Sequence, residues 1–121
     1  MKYSIYQLKD GEKQREIRFL NLKNLLRVKE APEYSDYDCK YTGTIVKAVN
    51  QEGLCKLLDE IYEIFSVRRP KDFEGHSIAV SDVIVIESEM SYMKAKAYYV
   101  DSFGFKECSE FVVDHMLNTK K

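Results

Sequence analysis

The spacing of apolar and polar residues divides the chain into short elements. Tyr3 to Leu8 is dense in strand formers and stops at Asp10-Gly11, a turn dipeptide, which predicts a first strand. Glu12 to Glu16 is charged and shows no period, so it reads as a loop or a strand extension, with Ile17 to Leu20 pairing back on the first strand. Asn21 is the N-cap of a short helix that carries Leu22, Leu25 and Leu26 and runs to about Val28. Lys29 to Asp38 reads as a loop broken by Ala31-Pro32, and Tyr41 to Ala48 as a second strand. Asn50 is the next N-cap. Behind it Leu54, Leu57, Leu58, Ile61, Ile64 and Phe65 form one stripe, with Asp59, Glu60 and Glu63 on the other face. This is the clearest helix, about Gln51 to Phe65.

The second half carries the strongest strand signal. Arg68 to His76 is a polar loop with Phe73 embedded in it. Val83 to Ile86 is an unbroken β-branched run, expected of a central strand covered on both faces. A turn near Glu89 to Ser91 leads to Met93 to Tyr99, whose alternation suits a half-solvated hairpin partner. That turn sets Asp82 near the level of Tyr98 to Tyr99 and Asp101 near Ala79. Phe103-Gly104-Phe105 makes an aromatic turn, Phe111 to Val113 starts a strand or a helix, and Asn118 to Lys121 is a frayed tail. With no regular βαβ rhythm, the prediction is one α+β domain over residues 1–117. It has a largely antiparallel sheet of four to five strands and two main helices on one side.

Composition narrows the function. The 121 residues are 45% hydrophobic and 32% charged, an ordinary globular balance. Nineteen basic residues against twenty acidic ones leave no cationic excess for phosphate contacts and no acidic excess for a DNA mimic. No run approaches the roughly 20 apolar residues of a membrane span, and no signal peptide is expected. Cys39, Cys55 and Cys108 are odd in number and far apart, which predicts free thiols in a reducing cytoplasm and no metal or cofactor.

Candidate chemistry is sparse. His76, Ser77, Asp82 and Asp101 supply the residue types of a hydrolytic triad, without a nucleophile elbow. The plainer reading is that they hydrogen-bond the loops at the open end of the hairpin, with Gly75 and Gly104 supplying unusual backbone angles. Cys55 beside Lys56 reads as a structural cysteine on a helix. Arg68, Arg69 and Lys71 form the densest basic spot, and Glu52, Asp59, Glu60 and Glu63 a solvated acidic face. Arg69, Asp72, Phe73, His76, Ser77, Asp82 and Asp101 together make the candidate binding surface.

Three ordered blocks resemble a known family. They are Pro70-Lys71-Asp72-Phe73-Glu74-Gly75-His76-Ser77, Val80-Ser81-Asp82-Val83-Ile84-Val85, and Tyr98-Tyr99-Val100-Asp101-Ser102 with Gly104-Phe105. Tyr3 to Leu8 and Arg18-Phe19 add to the likeness, while Ser66 and Ala79 depart from it. The succession resembles the YodL-like domain of Firmicutes, which is often encoded on conjugative transposons. The resemblance implies no activity and no catalytic residues, and its namesake looks like a regulator acting through protein contacts. The expected function is therefore a non-enzymatic accessory or interaction module of a mobile element, with a protein partner. A nucleic-acid-associated factor in transfer or antirestriction is the second reading. A small hydrolase using His76 with Asp82 or Asp101 is the third.

Overall fold

The structure is a computed structural model that describes residues 2–44, 51–87, 95–108 and 111. Its elements are β1 (Lys2–Leu8), α1 (Glu12–Ile17), α2 (Leu22–Leu25), a 3-10 turn (Tyr34–Asp36), β2 (Tyr37–Thr44), α3 (Gln51–Val67), β3 (Val83–Glu87), β4 (Ala95–Val100) and β5 (Phe105–Glu107). The strands form one sheet in the order β2-β1-β3-β4-β5, antiparallel throughout, which is the expected α+β class. The Val83 to Ile86 run is central, and all four of its side chains are buried.

The helices occupy both faces of the sheet, not one. Ile5, Ile84, Ile86, Tyr98 and Val100 point to α3, where Leu57, Leu58, Ile61 and Phe65 cover them. Tyr6, Leu8, Val83, Val85, Ala97 and Tyr99 point the other way, to Ile17 of α1, Leu25 of α2 and Phe111. Side chains alternate along a strand, so a strand that is apolar at every position needs a cover on each side.

Three expectations shift. Glu12 to Ile17 is a helix, and Ile17 to Leu20 does not pair with β1. Glu, Lys, Gln and Arg are good helix formers, but a single buried residue, Ile17, gives no period to read. The strand placed at Tyr41 to Ala48 is β2, beginning at Tyr37, and residues 45–48 lie outside those described. The β3–β4 register runs further along than the turn suggests: Val83 faces Tyr99, and Asp82 O accepts from Val100 N at 2.8 Å. Asn50, Glu89 to Ser91, Met93, Val112, Val113 and the tail also lie outside the described residues.

β2 changes face in mid-course. Tyr41 pairs with Ile5 and Cys39 with Tyr6, so Lys40 is an additional residue opposite that step. The bulge reverses the alternation. Tyr37 packs on the α1–α2 side, whereas Tyr41 packs on the α3 side against Phe65, with ring centroids 5.0 Å apart. Gly43 faces Tyr3, whose ring lies where a side chain at 43 would stand.

Candidate functional site

At one end of the sheet β1 leaves, β3 enters and β4 leaves. Gln7 lies there on the α3 face, fully buried, and its amide ties the loop between α3 and β3 to β1 at two points. Oε1 accepts from His76 N at 3.1 Å, and Nε2 donates to His76 O at 2.8 Å and to Asp82 Oδ2 at 3.0 Å. Both hydrogens of Nε2 are then in use. The 3.3 Å approach of Nε2 to His76 Nδ1 is therefore not a second bond, and Nδ1 donates instead to Ser77 O at 2.7 Å. Asp82 Oδ2 also accepts from Ala79 N at 2.9 Å. Gly75 is needed here for space and not for its backbone angle. A Cβ on it would stand 2.1 Å from Gln7 Oε1.

Two tight turns face one another at the same end. Leu20 N bonds Ile17 O, with Arg18 extended (φ −67°, ψ 137°) and Phe19 at φ 66°, which is a type II turn. Asp82 N bonds Ala79 O, with Ser81 at φ 90° in the corresponding position. That position favours Gly or Asn, and another residue in such a conformation costs about 1–3 kcal/mol. The turns are joined where Phe19 N donates to Ser81 Oγ at 3.1 Å. Tyr37 Oη donates to Ser81 O and Tyr99 Oη to Leu20 O, each at 2.6 Å. Burial raises the pKa of both phenols, so they stay protonated as donors. Ser81 is buried, whereas Phe19 is 60% exposed with the Arg18 guanidinium 5.2 Å from its ring centroid.

The residues singled out from the sequence do not form one surface. His76 and Asp82 meet only through Gln7. Asp101 lies on the opposite face, where Oδ1 accepts from Leu22 N at 3.2 Å and Ser102 N at 2.8 Å. Among the described residues the geometry thus supplies no His–Asp contact for a triad. Phe73 is core, 4.9 Å from the Phe65 ring, and Asp82 is 1% exposed, so neither presents a surface. Arg69 precedes the turn closed by Phe73 N on Pro70 O, Asp72 lies within it, and both are exposed, as is Ser77. Gln7, Arg18, Phe19 and Ser81 carry the site; they lie in the stretches that resemble the family but were not among the candidate surface residues. Gln7 was the findable one, as the last polar residue of an otherwise apolar strand end.

A family model described as the YodL-like domain matches residues 2–111, taking in all five strands and both facing turns. The chain belongs to the YodL-like domain family. Neither the comparison with curated proteins nor that with solved structures gave a match.

In this YodL-like domain, burial pushes Asp82 up from 3.8 to about 7, against the opposing pull of the Ala79 amide, the Gln7 amide and the Arg18 charge. Between about pH 4 and 7 the folded chain holds a proton that the unfolded chain releases. Asp82 therefore contributes stability that is full below about pH 4 and is lost as the pH rises through 7. The melting-temperature difference between wild type and Asp82→Asn should shift in favour of the wild type as the pH falls from 8 to 5. A difference that is flat with pH removes Asp82 as the titrating group. Cys108 is likewise buried, and its thiol is pushed up to about 12, which leaves it a poor nucleophile. Among the described residues no helix is long and apolar enough to cross a membrane.

Proposed function

We propose that this YodL-like domain is a non-enzymatic interaction module, an accessory factor of a conjugative element acting in the cytoplasm of a Firmicute through contacts with another protein. One observation carries the reading: two phenylalanines are displayed to solvent on tight turns. Phe19 is 60% exposed and Phe103, in the β4–β5 turn beside Gly104 at φ 73°, is 90% exposed. Exposed aromatics on fixed backbone suit interface anchors. Next to Phe103 a recess of about 380 Å³ is lined by Leu54, Leu58, Tyr98 and Phe105. The polar groups that would serve a hydrolase are engaged instead in holding loops. Near-neutral charge speaks against the nucleic-acid reading.

The test is cross-linking and capture of the tagged protein in its native host, followed by reconstitution with the purified partner. The expected result is a stoichiometric complex with one protein, weakened by Phe103→Ser or Phe19→Asn. Recovery of nucleic acid alone, or turnover of ester or phosphoester substrates that disappears in His76→Ala, would refute it.

A further inference from the structure

Among the described residues, Arg18 is the basic residue that the fold brings to the facing turns and leaves without a polar partner. Its Nε is buried and bonds to nothing. Ion pairs join Arg15 to Asp10, Lys29 to Glu33 and Asp36, and Lys96 to Glu107. No ion pair or hydrogen bond of the Arg18 guanidinium is found among the described residues. Asp82 is close enough to feel its charge, yet its Oδ2 is held by Gln7 and Ala79. The guanidinium is a rigid fork shaped for a planar carboxylate. It stacks beside the Phe19 ring, and that ring stands in solvent on a backbone conformation that disfavours phenylalanine. A glycine or asparagine would fit the turn better, so the ring is not there for the turn's sake.

We propose that Arg18 and Phe19 form the docking point for an acidic peptide segment of the partner protein. The segment's Asp or Glu carboxylate is taken by the Arg18 fork, and a neighbouring apolar side chain lies on the Phe19 ring. The inference rests on the interaction reading above and names the chemistry of that partner. A carboxylate suits the site better than a phosphate. Asp101, joined by Asp82 where that is ionised, lies at this end of the sheet, and its field opposes a dianion more than a monoanion. The apolar ring favours a peptide side chain over a sugar-phosphate backbone.

The test uses the full chain, isotope-labelled, and the peptide acetyl-Leu-Glu-Leu-amide, followed by NMR. The Arg18 Nε–H and Phe19 N–H signals should move saturably. The Leu-Gln-Leu counterpart and the Arg18→Gln variant should each bind roughly tenfold more weakly or worse, the effect of losing a charge-assisted pair. Phe19→Asn should lose affinity similarly while melting at or above the wild-type temperature, which separates lost binding from lost folding. Equal responses to the two peptides, or unchanged binding in either variant, overturn the proposal. So does inorganic phosphate displacing the peptide at lower concentration, which would assign the fork to a phosphate ligand. Movement of the same signals with protein concentration alone would assign the face to a second copy of the chain and overturn it too. A partner from the native host that binds wild type and Arg18→Gln equally refutes this docking point and leaves the interaction reading intact. Failure to find any partner refutes the wider reading.

Discussion

Phe65→Ala should lower the unfolding free energy by about 3–5 kcal/mol, the range for truncating a fully buried phenylalanine. Phe65 is 0% exposed and sits where α3 meets the sheet and the loop after it. Its ring meets Phe73 at 4.9 Å, Tyr41 at 5.0 Å and Tyr3 at 6.1 Å, so alanine would open a gap among three aromatics from three segments. Ile78 N also bonds Phe65 O, which ties the loop to the helix end and limits how far it can collapse into the gap. Urea denaturation gives the value directly. A loss below about 1 kcal/mol would mean that α3 does not pack through this face, since it falls well under the range for a core phenylalanine.

Gln7→Leu should cost about 3–5 kcal/mol, because it leaves His76 N, His76 O and the Asp82 carboxylate each short of a partner, at about 1–3 kcal/mol per buried group. Gln7→Glu supplies the control. Its ionised form sets a second carboxylate against Asp82, whereas its protonated form can donate again. Stability of Gln7→Glu should therefore recover on acidification from pH 7 to 5, relative to Gln7→Leu. If Gln7→Leu unfolds within about 0.5 kcal/mol of wild type, the amide is not holding the α3–β3 loop to β1, because even one typical hydrogen bond contributes that much.

The parts of the fold that were legible in the sequence are those with a period. The stripe from Leu54 to Phe65 and the run from Val83 to Ile86 each state their burial residue by residue, and α3 and β3 occupy those places. Asn21 is an N-cap as read, accepting from Asn24 N at 2.9 Å. α1 was hidden because one anchor, Ile17, cannot define a face. The division of helices between two faces was hidden because alternation tells that a side chain is covered and not by what. At the site, the sequence pointed to His76, Asp82 and Asp101 as one group. The hairpin register, offset from the expected one, and the turning of Asp101 toward Leu22 separate them. Arg18, Phe19 and Ser81 were visible only as parts of the family likeness, because nothing in residue type announces a phenylalanine or a serine at positive φ. The site was legible as a place, the open end of the hairpin, and not as a mechanism.

The additional residue in β2 has a meaning for how these molecules coexist at high concentration. An outermost strand offers a row of amides and carbonyls on which another chain can lay itself, and repetition of that event builds filaments. Among the described residues no strand lies beyond β2. Its outer row is nevertheless interrupted at Lys40, where the pairing with β1 loses step and a cationic side chain sits. An incoming strand could hydrogen-bond only in two short stretches on either side of that residue, with its side chains in phase over one and out of phase over the other. The same irregularity that lets Tyr37 and Tyr41 serve opposite faces of the core thus blunts this edge of the sheet.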